Sequence, residues 1–166
     1  MASFTVSPPG IVAGEGLSFR CALGRGGIAN EKREGDGITP VGRWRMLELY
    51  YRADRLDRPK TGLPAHIIDA QDGWCDDPDN PSYNRKVRRP FSASHEALWR
   101  QDHLYDVLIV LNYNIDPVVP YRGSAIFMHL AREEYGPTEG CVALSRPDFL
   151  NLVARCDTDS HLIIHD

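Results

Sequence analysis

The stretch SAIFMHLAREEYGPTEGCVALSRPDFL, from Ser124 to Leu150, contains most of the signals that decide the fold. It opens with an apolar run that predicts a β-strand ending at Leu130. Side chains alternate along a strand, so His129 is expected on the same face as Phe127. The letters GPTEG that follow are a strong turn signal. The first part of this stretch therefore predicts a strand that leads into a tight turn.

The rest of the chain is also rich in strand signals. Residues 105–113 contain the purely aliphatic run 107–111, and this segment predicts a central strand buried on both faces. Ser145 is expected to cap a helix with Pro147 in its first turn, and Ser94 to cap a short helix that runs to about Gln101. Further strands are predicted at residues 17–23, 44–52, 66–70 and 161–165, and a long loop at residues 76–90. The predicted fold is mostly β with short helices, as a single curled or closed, mainly antiparallel sheet.

Composition and charge limit the function classes. A chain of 166 residues with 42% hydrophobic residues fits one domain, residues 1–166. The net charge of -4 argues against a nucleic-acid-binding surface, which would need a clustered basic face. The basic run at residues 85–89 is either a solvated loop or a rim that attracts an anionic substrate. No apolar run is long enough to cross a membrane. The N-terminal residues lack a signal peptide, which predicts a cytoplasmic protein, or a periplasmic one if a leader precedes this sequence.

Four cysteines, Cys21, Cys75, Cys141 and Cys156, are candidates for chemistry. None forms a C-x-x-C pair, so we expect no zinc-finger type of metal site and no disulfide framework. Cys75 is flanked by two aspartates, which raise a thiol pKa and weaken the nucleophile. Cys21 and Cys156 fit packing positions. Cys141 is therefore the candidate nucleophile.

Cys141 and His129 together suggest cysteine-based catalysis. Gly140 allows a tight turn before the thiol, with backbone amides that can bind an oxyanion. The turn is expected to place Cys141 on an exposed loop. An imidazole can take the proton of a thiol, and a hairpin-like return of the chain could bring His129 to Cys141. The alternative is that Cys141 is a buried packing residue and His129 a structural one.

The letters PTEGCVALS, preceded by a strand ending in MHL, resemble the catalytic motif of the YkuD-type L,D-transpeptidases. Thr138, Gly140, Cys141 and Val142 match the motif, with His129 upstream. Two earlier blocks, GRGGI at residues 24–28 and KREGDGITPVGRW at residues 32–44, are similar to N-terminal parts of this family. The resemblance covers roughly residues 17 to 156, and it implies the L,D-transpeptidase catalytic fold.

The resemblance also implies a reaction on peptidoglycan stem peptides. The cysteine attacks the bond between the L-centre of a diamino acid, usually meso-diaminopimelate, and a terminal D-alanine. The thioester is then resolved by an amine, which is transpeptidation, or by water, which is L,D-carboxypeptidase activity. Neither metal nor cofactor is needed, and a carbapenem is the expected covalent inhibitor. The predicted catalytic residues are Cys141, His129 and Gly140, and the predicted substrate-binding residues are Thr138, Glu139, Arg132 and Arg146.

The chain departs from the family motif in three ways, one of which is a shorter spacing between His129 and Cys141 than is usual in the family. Glu139 replaces a frequent histidine, and Ala143 replaces a frequent asparagine or arginine. Arg132 or Arg146 could supply the missing positive charge. The predicted partner is a peptidoglycan tetrapeptide stem or a soluble muropeptide, and a cytoplasmic location favours hydrolysis in peptidoglycan recycling. The alternative from another class is an inactive relative that only binds peptidoglycan fragments.

Overall fold

The computed structural model describes residues 2–166. The elements are β1 Ser3–Ser7, β2 Ile11–Gly14, β3 Leu17–Arg20, β4 Ile28–Ala29, β5 Thr39–Pro40, β6 Gly42–Tyr51, β7 Ala65–Ile67, β8 Asp72–Cys75, β9 Lys86–Arg88, β10 His95–Ala97, β11 Val107–Leu111, β12 Phe127–Leu130, a 3-10 turn Glu133–Tyr135, β13 Val142–Leu144, α1 Arg146–Val153 and β14 His161–Ile164. No helix within these residues is long and apolar enough to cross a bilayer.

A nine-stranded sheet forms the frame, in the order β13-β12-β11-β6-β14-β1-β2-β3, with β7 paired to β6. Most neighbours are antiparallel, but β1 with β14, β6 with β7 and β12 with β13 run parallel. Just beyond β3, the Ala22 amide donates to the Ala143 carbonyl at 2.8 Å, and the Ala143 amide donates back at 3.0 Å. These two bonds join the ends of the sheet into a nearly closed barrel. The prediction of a curled or closed, mostly β fold is confirmed.

The central strand β11 contributes side chains to two apolar cores, one on each face of the sheet. All five of its residues are buried. Val107, Ile109 and Leu111 pack into one apolar core together with the inner face of α1, whereas Leu108 and Val110 pack into a second core on the other face of the sheet. A continuous apolar run suits a strand that is covered on both sides. The same alternation continues in β12, which sends Met128 to the first core and Phe127 to the second.

The second core is covered by a small sheet in the order β10-β8-β9. Its strand β10 occupies the segment predicted to be a helix from Ser94 to Gln101, so that prediction is wrong. His95 pairs with Cys75 and Ala97 with Gly73 in antiparallel register. Pairing with β8 outweighs the weak local helix signal. The predicted loop at residues 76–90 is irregular except for β9 at its end.

Helix α1 forms as its cap predicts, because the Ser145 side chain accepts from the Asp148 amide and Pro147 lies in the first turn. The prediction of two helices beside the sheet is corrected, since α1 is accompanied only by the 3-10 turn within residues 2–166. Strands β1 and β2 carried no recognised signal. They form because Phe4, Val6 and Val12 all bury their side chains in the first core.

Candidate active site

Cys141 lies immediately before β13, with its side chain directed into the second core. The thiol donates to the Ala125 carbonyl at 3.2 Å and accepts from the Phe127 amide at 3.3 Å. The prediction of an exposed loop is wrong, because the cysteine is 6% exposed. Burial raises the pKa of the Cys141 thiol to about 12, although the Phe127 amide acts in the opposite direction. The resting side chain is therefore a protonated thiol.

The turn before Cys141 requires glycine. Gly140 has φ +134°, and a β-carbon built on it would lie 2.8 Å from the Ile38 carbonyl oxygen. The Gly140 amide donates to Thr138 Oγ1 at 3.1 Å, and the same hydroxyl donates to the Cys141 carbonyl at 2.7 Å. Thr39 Oγ1 donates to the Gly140 carbonyl at 2.9 Å. Two buried threonine hydroxyls thus hold this turn on both sides.

The hydrogen bonds of the turn determine which amide could bind an oxyanion. The Gly140 amide is occupied by Thr138. Within residues 2–166, the Cys141 amide has no acceptor among the turn and loop hydrogen bonds. An oxyanion hole needs an amide near the candidate nucleophile that is free to donate. The Cys141 amide is therefore better placed for this role than the Gly140 amide.

His129 is buried on β12, and its ring is fixed from two sides. The ring nitrogen Nδ1 lies 2.8 Å from the Leu130 carbonyl oxygen. A carbonyl can only accept, so Nδ1 carries the proton and Nε2 is free to take one. Tyr105 packs edge-on against the ring at 5.3 Å between centroids. Burial lowers the pKa of His129 to about 4, so the imidazole is neutral near pH 7.

Parallel pairing of β12 with β13 places His129 on the same face of the sheet as Cys141, the candidate nucleophile. His129 pairs with Ala143 and Met128 with Val142. Cys141 precedes Ala143 by two positions, so it lies on the same face as His129. The predicted hairpin-like return is wrong, because the chain crosses over through residues 131–141 before the second strand starts. The thiol is hydrogen-bonded to the backbone at Ala125 and Phe127.

Cys141 and His129 line one cavity of about 370 Å³. Its charged lining residues are Lys32, Glu34, Asp76, Glu96, Arg100, Arg132 and Glu139. The pocket thus presents both signs of charge beside the thiol, which suits a substrate that carries carboxylate and ammonium groups. A larger cavity of about 900 Å³ lies near Phe19 and Tyr135, and its lining contains neither Cys141 nor His129.

The predicted substrate-binding residues do not all reach this cavity. Arg132 lines it with an exposed side chain that makes no hydrogen bond or ion pair within residues 2–166, and Glu139 lines it while paired with Arg25 at 3.0 Å. Thr138 also borders the cavity, but its hydroxyl serves the turn. Arg146 lies outside the cavity lining. Its guanidinium donates to Asp106 at 2.6 Å, which corrects the prediction that Arg146 could face the substrate.

Several residues of the cavity carried no recognised signal in the sequence. Tyr105 donates to Glu96 Oε1 at 2.6 Å, and burial raises the pKa of both side chains. Glu96 lies in the segment that was predicted to be a helix, so nothing in the sequence indicated that it lines the cavity. Glu34 accepts from the hydroxyls of Tyr83 and Ser124 at 2.7 and 2.6 Å. Within residues 2–166, no group of three or more histidine, cysteine or acidic side chains converges on a possible metal position.

Comparison with known proteins assigns the family. The model of the YkuD family, described as the L,D-transpeptidase catalytic domain, matches residues 12–164. The chain belongs to this family. The resemblance carried by Thr138, Gly140, Cys141 and Val142 is thereby confirmed at the level of the family. No curated protein matches this YkuD chain in a sequence search.

Several solved structures resemble this YkuD domain at low sequence identity. A point mutant of the helical cell shape determining protein Pgp2 from Campylobacter jejuni has a TM-score of 0.53 at 14% identity, and the unmutated protein has 0.50 at 15%. Each comparison covers 99% of this chain and 47% of Pgp2. L,D-transpeptidase 3 from Mycobacterium tuberculosis, with a faropenem-derived adduct, has a TM-score of 0.46 at 13% identity, covering 99% of this chain and 60% of that one. This domain therefore spans about half the length of Pgp2.

Proposed function

We propose that this YkuD domain catalyses acyl transfer on peptidoglycan stem peptides through a thioester on Cys141. The observation that carries the proposal is that His129 on β12 and Cys141, just before the parallel strand β13, share one face and line one charged cavity. The substrate bond joins the L-centre of a diamino acid, such as meso-diaminopimelate, to a terminal D-alanine. A cavity with both signs of charge suits such a zwitterionic side chain.

In the first step, Cys141 Sγ attacks the carbonyl carbon while Nε2 of His129 takes the thiol proton. A bond forms between sulfur and carbon, and the tetrahedral intermediate places its oxyanion near the Cys141 amide. The C–N bond then breaks, and the imidazolium returns its proton to the departing D-alanine nitrogen. Because the pKa of Cys141 is raised and that of His129 is lowered, both groups are neutral at rest. Proton transfer therefore accompanies attack instead of preceding it.

In the second step, an acceptor attacks the thioester while His129 takes its proton. An amine acceptor gives a crosslink, and water gives a tripeptide. Ala143 favours water as the main acceptor, because it is buried next to His129 and offers only a methyl group where relatives often carry a polar side chain. Holding an amine in line requires recognition groups of its own. We propose L,D-carboxypeptidase activity as the second candidate, in peptidoglycan recycling if the protein is cytoplasmic.

The test is mass spectrometry of the products from a disaccharide tetrapeptide. We expect tripeptide and free D-alanine, with crosslinked dimer as the minor product at micromolar substrate. Dimer in excess of tripeptide would contradict the hydrolytic candidate and leave transpeptidation as the main activity. Added D-amino acids should exchange into the product, because they resemble the leaving group.

Substitution of the nucleophile separates an enzyme from a fragment-binding protein. Cys141→Ala should abolish turnover and covalent labelling by a carbapenem. Cys75→Ala is the matched control, because Cys75 is equally buried but lies in β8 outside the cavity lining. Turnover that persists in Cys141→Ala would refute the thioester. A folded wild-type protein that binds muropeptide without turnover or labelling would instead support the inactive relative.

A further inference from the structure

Lys32 carries a buried positive charge at the wall of the candidate active site. Its side chain is 3% exposed, and its ammonium donates to Asp36 Oδ1 at 3.0 Å. Burying a charge costs several kcal/mol unless partners compensate it, so a lysine at this position needs a physical reason. An ammonium has three N–H donors, and Asp36 is its one side-chain or backbone acceptor within residues 2–166.

Asp36 fixes the position of the Lys32 ammonium but compensates its positive charge only in part. Asp36 also accepts from the amides of Arg33 at 2.6 Å and Ile38 at 2.9 Å. Burial acts to raise the pKa of Asp36, but these amides and Lys32 together lower it below its ordinary value. The carboxylate is therefore shared among three donors. Its charge is divided between Lys32 and two backbone groups, which leaves the ammonium able to act on a further anion.

Two glycines let the ammonium approach the nucleophile. A β-carbon on Gly140, the residue before Cys141, would lie 3.4 Å from Lys32 Nζ. A β-carbon on Gly123 would lie 2.8 Å from Lys32 Cε. The lysine side chain therefore passes between two backbone segments at positions that have no side chain. Lys32 and Cys141 line the same cavity.

The other cations of the cavity are less suited to act on the thiol. Arg100 is held in a two-bond pair with Asp102 at 2.8 and 2.7 Å. Arg100 and Arg132 act on His129, where their positive charge lowers the imidazole pKa. Burial and then the Glu96 carboxylate raise the pKa of the Cys141 thiol, and Lys32 is the cation that lowers it. Different cations of the cavity therefore act on the imidazole and on the thiol.

We propose that Lys32 stabilises the negative charge that develops at Cys141 during attack, as an electrostatic residue that supports the nucleophile. This inference rests on the proposed function of Cys141. In other cysteine enzymes a protonated imidazole can pair with the thiolate, but His129 is neutral here and becomes charged only as it takes the thiol proton. A fixed ammonium beside Gly140 supplies positive charge before that transfer. A preorganised charge of this kind needs no reorganisation during the reaction.

The test is the rate at which iodoacetamide alkylates Cys141, followed by peptide mass spectrometry between pH 7 and pH 9. In this range the rate follows the thiolate fraction, because the pKa of the thiol lies at about 12. A nearby opposite charge shifts a pKa by roughly one to three units. Lys32→Met should therefore slow alkylation about tenfold or more at each pH, whereas Lys32→Arg, which keeps the charge, should recover most of the rate.

The direction of the change separates an electrostatic role from a structural one. Loosening of the turn would expose the buried thiol and accelerate alkylation, which would contradict the proposal. Lys32→Gln is a second neutral variant, because its amide can still donate to Asp36 and so preserve folding. An unchanged rate in folded Lys32→Met and Lys32→Gln would also overturn the proposal, as would equal slowing in Lys32→Arg. Alkylation needs no peptidoglycan substrate, so its outcome is independent of whether the tetrapeptide is turned over.

Discussion

Nδ1 of His129 lies 2.8 Å from the Leu130 carbonyl oxygen, so the backbone itself sets the tautomer of the candidate base. This contact lies within one strand and requires no acidic third residue. Tyr105 adds an edge-on contact that limits rotation of the ring. The combination directs the unprotonated nitrogen Nε2 away from the Leu130 carbonyl, and this is the nitrogen that general-base catalysis needs.

The first prediction concerns His129 as the base. His129→Ala should lower turnover of a tetrapeptide on the order of a hundredfold or more, the usual effect of losing a general base. It should also slow iodoacetamide labelling of Cys141 near neutral pH. The control is His103→Ala, because His103 is exposed and contacts the Ala131 carbonyl instead of the cavity. If turnover fell in His103→Ala but not in His129→Ala, His103 would be the base instead of His129.

The second prediction concerns stability in acid. Burial lowers the pKa of His129 from 6.5 to about 4. Between these two pH values the imidazole is protonated in the unfolded chain but neutral in the folded chain. The contribution of this residue to stability is therefore present above pH 6.5 and is lost as pH falls toward 4. Linkage gives a loss of roughly 3 kcal/mol at most.

Urea unfolding at pH 7 and pH 4 measures this effect. The difference in unfolding free energy between the two pH values should be smaller in His129→Gln than in the wild-type protein. Comparing the two proteins removes the contributions of other titrating groups. An equal difference in both proteins would mean that His129 is not buried in its neutral form.

The third prediction concerns the turn at Gly140. Gly140→Ala combines a left-handed backbone, φ +134°, with an approach of 2.8 Å to the Ile38 carbonyl. Gly27→Ala is the matched control, since Gly27 has φ +76° but nothing within 4 Å of its built β-carbon. Backbone strain alone should lower the unfolding free energy of the control variant by about 1–2 kcal/mol. Overpacking should lower that of Gly140→Ala by about 1–3 kcal/mol more. Thermal unfolding measures both. Equal losses would show that the turn can shift to accept a side chain.

The fourth prediction separates two arginines that sequence reasoning treated alike. Arg132→Ala should raise KM for the tetrapeptide about tenfold, because a charge-assisted hydrogen bond contributes roughly 1.5–3 kcal/mol. Arg146→Ala should leave KM unchanged, since its guanidinium contacts Asp106 outside the cavity lining. Asp106 also accepts from Arg55 at 2.8 Å and keeps a partner. Steady-state kinetics of both variants measure which arginine binds the substrate. A higher KM in Arg146→Ala alone would indicate that Arg146, and not Arg132, has this role.

The sequence by itself determined the features that depend on neighbouring residues. The apolar run of β11 predicted a strand buried on both faces, Ser145 predicted the start of α1, and the motif around Cys141 predicted the family. Strand periodicity also placed His129 and Phe127 on one face, and both border the second core or its cavity. These signals act within a few residues, so they can be recognised without knowledge of the fold. The cytoplasmic location and the roles of the site residues stay predictions.

Only the tertiary structure decided which distant segments meet. It set β12 and β13 parallel, buried the Cys141 thiol, turned residues 95–97 into a strand and paired Arg146 with Asp106. It also brought Lys32 to Gly140 across more than a hundred residues of chain. The physical reason is that strand pairing, burial and charge compensation depend on partners far apart in the sequence, and these long-range contributions outweigh weak local preferences.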